Sequence, residues 1–145
     1  MLDLIIKNGS CYINKDLKDQ DIAIKDGKII EIGKIETEAK EIFNAKGLTV
    51  LPGCIDTQTH FREPGSTDTE DLHTGSRAAI VGGITSVFEM PNTNPPTSNK
   101  KEFQKKLNLA KNRMYCNYAF YFGATPDNAA ELAELKDLEG CCGIK

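Results

Sequence analysis

The residues able to do chemistry gather in one stretch, Asp56-Thr57-Gln58-Thr59-His60-Phe61-Arg62-Glu63-Pro64-Gly65. It follows Leu48-Thr49-Val50-Leu51, a mostly apolar run, so a short buried strand is expected to end in a polar cluster. Side chains on a strand repeat every two residues, which would point Gln58 and His60 the same way. Pro64-Gly65 closes the stretch with a turn. Polar groups converging where a strand ends are what a metal or anion site needs. His60 is a candidate metal ligand through a ring nitrogen. Asp56 is either a second ligand or an acceptor for backbone bonds at the strand end. Arg62 is either an anion holder or the partner of Glu63 in a surface ion pair.

These groups need a scaffold, and the flanking pattern supplies one. Residues 1–47 read as short strands and tight turns: Leu4-Ile5-Ile6 ended by Asn8-Gly9, then Ile22-Ala23-Ile24, then Ile29-Ile30-Glu31-Ile32. Asp26-Gly27 between two apolar runs is a two-residue hairpin signal. Residues 37–44 are mostly polar and ambiguous. This small β unit shows no site of its own.

From residue 48 the rhythm becomes strand, loop, helix. Thr69 is expected to cap a first helix carrying Leu72, Ser76, Ala79 and Ile80 on one face, stopped by Gly82-Gly83. Ile84–Met90 reads as a strand ending at Pro91-Asn92-Thr93-Asn94-Pro95-Pro96, a run that neither element can continue through. Ser98 is expected to cap a second helix with Phe103, Leu107, Ala110 and Met114 buried. Its lysines (100, 101, 105, 106 and 111) read as a solvated surface. Residues 115–122 form a third strand, Thr125-Pro126 opens a third helix, and Cys141–Lys145 begins a fourth strand.

Alternating elements imply parallel β/α units. The expected fold is therefore α/β: the first half of an eight-stranded β/α barrel over residues 48–145, truncated in strand four, with an open doubly wound sheet as the competing architecture. In a barrel, function sits at the C-terminal ends of the strands. Those ends hold Gln58, His60 and Arg62, then Asn92, then Lys145. Asn92 also suits plain turn chemistry, and Lys145 a free chain end. His73, on the first helix, reads as structural or solvent-facing. Gly82-Gly83 closes a helix rather than opening one, which argues against a phosphate cradle.

Composition narrows the function classes. A net charge of -3 provides no basic field for nucleic acid or an acidic membrane surface. No apolar run approaches the roughly 20 residues that span a bilayer, and the N-terminus lacks the form of a signal peptide. The cytoplasm is the expected compartment. The five cysteines include no CxxC pair and read as reduced core thiols rather than a zinc-thiolate site.

Residues 50–56, Val-Leu-Pro-Gly-Cys-Ile-Asp, with His60-Phe61-Arg62-Glu63-Pro64-Gly65 resemble the metal-site signature of dihydroorotase, a cyclic amidase of the amidohydrolase superfamily. Glu89-Met90-Pro91-Asn92-Thr93-Asn94-Pro95 resembles a second stretch of that family. Residues 22–29 are similar to the β unit that precedes the barrel across the superfamily, where it forms part of a composite β-sandwich. The resemblance implies hydrolysis of (S)-dihydroorotate to N-carbamoyl-L-aspartate, and its reversal, in pyrimidine synthesis. It implies one or two zinc ions that polarise the amide and activate water, with His60 as a ligand and Arg62 and Asn92 holding the substrate carboxylate. Lys145 matches the lysine that many superfamily members carbamylate to bridge two metals. The remaining histidine ligands and the catalytic aspartate would lie on later strands. At full length the resemblance implies an oligomer of identical chains acting on a small molecule.

One position departs from the pattern. The family has histidine two residues before the position of His60, where this chain has Gln58, and a carboxamide is a weak zinc ligand beside imidazole. Three outcomes stay open: one metal, a weaker second ion held by Gln58 and Asp56, or an inactive site. Because the remaining ligands and the catalytic aspartate would lie on later strands, the 145-residue chain alone is expected to be inactive. Allantoinase or hydantoinase is the alternative within the enzyme class. A non-catalytic dihydroorotase-like subunit supporting aspartate transcarbamoylase is the alternative outside it.

Overall fold

A computed structural model describes all of residues 1–145, which divide into two compact units, Met1–Pro52 and Gly53–Lys145. The first unit is a five-stranded sheet formed by β1 (Leu2–Ile13), β2 (Asp16–Lys25), β3 (Lys28–Gly33), β4 (Ala39–Asn44) and β5 (Thr49–Val50). The order is β3-β2-β1-β4, with β5 also paired to β1. Asp26-Gly27 makes the expected hairpin: both φ angles are positive (51° and 71°) and Lys25 faces Lys28 across the turn. That backbone twist matches the flanking strands, and glycine takes it without strain.

Asn8-Gly9 does not end β1 as the sequence suggested. Asn8 adopts φ 62° and its N–H donates to the Asp21 carboxylate at 3.1 Å, so the pair forms a bulge and pairing with β2 resumes at Gly9. The turn falls instead at Asn14-Lys15, φ 53° and 71°. The ambiguous residues Ala39–Asn44 form β4, parallel to β1. Leu2, Ile5, Ala23 and Ile35 form this unit's core.

The second unit is a four-stranded, wholly parallel sheet in sequential order: β6 (Cys54–Thr59), β7 (Ile84–Glu89), β8 (Asn117–Phe122) and β9 (Cys141–Ile144). Helix α1 (Leu72–Val81) joins β6 to β7, α2 (Lys100–Ala110) joins β7 to β8, and a 3-10 helix (Ala129–Asp137) joins β8 to β9. Val87, Phe120 and Phe122 pack with Leu72, Phe103 and Leu135 in one buried cluster. Pro52 lies between β5 and β6, as its missing N–H requires.

The helix starts differ from expectation for identifiable reasons. Thr69 donates its N–H to Ser66 in a preceding turn, so the cap of α1 is Asp71, which makes a reciprocal capping box with Thr74. On the buried face of α1, Leu72, Gly75 and Ser76 are covered, while Ile80 is exposed. The cap of α2 is Asn99, whose side chain accepts from the Glu102 N–H at 2.9 Å; Ser98 is held in a turn to Pro96. Met114 lies beyond α2 but still packs against the core. The third helix begins at Ala129 rather than Pro126. Asn128 does not cap it, because its amide bridges the carbonyls of Ser98 and Gly123. All five cysteines are free, and Cys54, expected in the core, is exposed.

Candidate functional site

Because all four strands run parallel, their C-terminal ends share one edge of the second unit, and the loops leaving them are tied together by backbone bonds. Met90 N–H donates to Thr59 O at 3.0 Å, and Asn94 N–H to Pro64 O at 2.9 Å. Gly123 N–H donates to Thr97 O at 2.8 Å, and Ala124 N–H to Lys145 O at 2.7 Å. Gly65 (φ 125°) passes so close to Asn94 that a Cβ there would stand 2.9 Å from the Asn94 Cβ. These contacts make one surface of four chain segments.

His60, directly after β6, is half-buried. Its pKa is lowered, first by burial and then by the positive charges of Arg62, Lys145 and Lys106. A neutral imidazole keeps a ring lone pair for a proton or a metal. Arg62, at φ 59°, is exposed and pairs with no carboxylate of the chain. Glu63, its sequence neighbour, turns away: it takes two hydrogen bonds from Arg113 (2.8 and 3.1 Å) and one from the Leu72 N–H (2.9 Å). So the Arg62–Glu63 surface pair does not form, and the Arg62 guanidinium stays free for an anion.

Asn92 is exposed in the loop after β7, and the Lys145 ammonium donates to its Oδ1 at 3.4 Å. The backbone of Lys145 is fixed at both sides, its N–H on Phe122 O and its carbonyl under the Ala124 N–H. Its side chain is exposed. Asp56 is half-buried and accepts the Gln58 N–H at 2.9 Å. That local bond interrupts the pairing of β6 with β7 between Asp56 and Thr59, and with it the strict two-residue alternation expected of Gln58 and His60. Gln58 itself is exposed.

His60 is the only imidazole among these side chains, Asp56 is engaged by backbone, and no three His, Cys, Asp or Glu side chains come together anywhere in the chain. His73 is remote from the strand ends in role: it caps nothing there and meets the Tyr115 hydroxyl at 3.2 Å on the helical side.

Two functional neighbours escaped the sequence reading. Lys106 belongs to the lysine run taken as solvated, yet it is completely buried. It donates to Met90 O at 2.9 Å and contacts the carboxylate of Glu89, itself 1% exposed. The signal was present: Lys106 lies on the Phe103–Ala110 face at i+3, and Glu89 keeps the two-residue phase of buried Val87.

Comparison with known proteins places this geometry among relatives. Residues 49–140 match the family model described as "Amidohydrolase family". The chain is 41% identical over 144 residues to an allantoinase of Escherichia coli O1:K1 / APEC, covering 99% of this chain and 32% of that protein. Among solved structures it is similar to the L-hydantoinase (dihydropyrimidinase) of Arthrobacter aurescens, with 32% identity and TM-score 0.90 over 99% of this chain and 32% of the other. It is also similar to the D-hydantoinase of Thermus sp., with 29% identity and TM-score 0.74 over 91% of this chain and 30% of the other. The chain thus spans about a third of the length of the curated relatives it matches. No helix is long and apolar enough to cross a membrane.

Proposed function

This chain belongs to the amidohydrolase family, and we propose that it is the N-terminal third of a hydrolase that opens cyclic amides of the allantoin and hydantoin type. The observation that carries this is the 41% identity to an allantoinase over the whole segment in which His60, Arg62, Asn92 and Lys145 gather at one sheet edge. In the proposal, the parallel sheet of residues 53–145 is the opening part of an eight-stranded barrel. Arg62 and the Asn92 amide hold polar substituents of the ring. Water adds to the ring carbonyl, the C–N bond breaks, and the departing nitrogen gains a proton, leaving a carboxylate. The family is generally metal-dependent, and on this chain His60, with Asp56 beside it, would hold such an ion, which would supply polarisation of the ring carbonyl and activation of water.

The sequence first pointed to dihydroorotate, and one observation still favours it. Arg62 is exposed and unpaired, as a bidentate holder of a substrate carboxylate should be. The allantoinase and hydantoinases named above support the allantoin and hydantoin rings instead. Ring opening of allantoin, hydantoin and dihydroorotate by the full-length protein tests this choice of ring. The expected result is a kcat/KM for allantoin or hydantoin at least about tenfold above that for dihydroorotate, a preference worth about 1.4 kcal/mol at the transition state. The reverse preference would establish dihydroorotate. Absence of all three activities would favour a non-catalytic subunit.

A further inference from the structure

The two arms of the site leave neighbouring strands: His60 and Arg62 follow β6, and Asn92 follows β7. Between them, at the end of β7, lies Glu89, fully buried and opposite Thr59 in the strand register. Lys106 reaches it from α2 and contacts its carboxylate. The same ammonium donates to the Met90 carbonyl, two residues before Asn92, at 2.9 Å, and stands 5.1 Å from the centre of the Phe120 ring. On the other side of Glu89 stands Thr59, the last residue of β6 and the neighbour of His60, whose carbonyl accepts the Met90 N–H at 3.0 Å.

A buried ion pair is a poor choice for stability alone. Desolvating both charges offsets most of their attraction, and well-packed apolar replacements are often neutral or stabilising. Here, apart from the Lys106 contact, neither Glu89 oxygen has a hydrogen-bond partner, which adds to the cost. What the pair does that leucine and methionine could not is to fix the end of β7 to α2 at two consecutive residues, Glu89 and Met90, the second of which is bonded in turn to the end of β6. Lysine carries three donors, and at least two are directed, to Glu89 and to Met90 O.

We propose that Glu89 and Lys106 are positioning residues, a buried brace between β7 and α2 that sets the distance between the His60–Arg62 arm and the Asn92 arm. The brace touches no substrate and acts through Met90, whose carbonyl takes the Lys106 bond and whose N–H holds the Thr59 carbonyl, one residue before His60. This deepens the proposed function and rests on it for its kinetic consequence, though not for its structural one.

The test uses the full-length protein with the double substitution Glu89→Leu/Lys106→Met, which removes both charges and avoids stranding one. Glu89→Gln, which keeps an acceptor for Lys106, is the conservative variant. The expected result for the double variant is a melting temperature close to wild type with KM for the preferred ring raised about tenfold or more, about 1.4 kcal/mol of lost binding. Glu89→Gln should recover most of that loss. Amide hydrogen exchange gives a readout independent of activity: residues 61–65 and 90–94 should exchange faster in the double variant, with the α1 amides unchanged. Wild-type KM and unchanged exchange in a folded double variant would overturn the proposal. If the double variant does not fold, Glu89→Gln and Lys106→Met are compared by exchange alone, and equal protection of both loops in each would overturn it. If the wild-type protein opens no ring, faster exchange still supports the brace, and the functional reading fails separately.

Discussion

Arg113, just past α2, grips Glu63 with both guanidinium nitrogens, at 2.8 and 3.1 Å, and the same carboxylate accepts the first N–H of α1 from Leu72. One acidic side chain therefore joins the loop carrying Arg62 to the start of one helix and the end of another. Glu63 is 7% exposed, so its bonds are largely shielded from water.

Glu63→Ala should therefore destabilise the protein by about 2–4 kcal/mol, because it strands the Leu72 N–H and a partly covered guanidinium together. Arg113→Ala should cost less, about 1–2 kcal/mol, since Arg113 is more exposed and the Leu72 bond survives. Urea unfolding of the two variants checks the ranking. Equal losses would show that the helix-start bond contributes nothing.

Gly75 offers a test in which two effects oppose each other. Glycine inside a helix costs about 1 kcal/mol relative to alanine, so Gly75→Ala should stabilise α1 by propensity alone. A Cβ at Gly75 would stand 2.4 Å from Cδ1 of Phe61, the buried neighbour of His60. Overpacking of that kind costs about 1–3 kcal/mol, so the net effect should be destabilising. It should also lower kcat/KM, because the Phe61 backbone carries His60 and Arg62 on either side. A raised melting temperature for Gly75→Ala would show that Phe61 moves freely.

The hairpin at Asp26-Gly27, the β/α rhythm and the strand ends holding His60, Asn92 and Lys145 were legible, because each depends on local chemistry or spacing. Asn8-Gly9 misled because the same dipeptide serves a turn or a bulge, and the choice was made by Asp21, thirteen residues away. Glu63 looked like a partner for Arg62 by adjacency, whereas its partner Arg113 is fifty residues on. Lys106 was hidden for a related reason. A lysine run reads as solvated, and only the burial of Glu89 on another element gives one of those lysines a reason to go inside.

Glu89 also gives the protein a pH dependence with a definite sign. Burial is the main cause that raises its pKa from 4.5 to about 7, against the opposing charge of Lys106. A group whose folded pKa is raised contributes stability that is complete below its unfolded value and is lost as pH climbs through the folded one. From Glu89, stability should thus fall between about pH 4.5 and about pH 7, by on the order of 1–3 kcal/mol. His60 works the other way: its pKa is lowered by burial, so its contribution is lost as pH falls. The difference between wild type and Glu89→Gln isolates the Glu89 part. Urea midpoints across that range should converge toward acid pH and separate toward neutral pH, with the variant favoured there. A constant difference would show that Glu89 does not titrate in this window.

Gln58→His tests the departure at the strand end directly. Gln58 is exposed, and its ties to the fold are backbone ones, the N–H on Asp56 among them, so an imidazole at this position meets no steric demand. Imidazole is a much stronger ligand for zinc than a carboxamide. Placed two residues from His60, whose lowered pKa keeps its own ring neutral, it would supply a second nitrogen donor at the same strand end. In the full-length protein, bound zinc after dialysis should rise in Gln58→His relative to wild type, and the variant should resist removal by chelator for longer. His60→Ala in the Gln58→His background should abolish that gain, because a lone imidazole holds zinc weakly. Equal zinc content in wild type and Gln58→His would show that residue 58 does not face the metal-binding position, and that the interrupted pairing between Asp56 and Thr59 turns its side chain away.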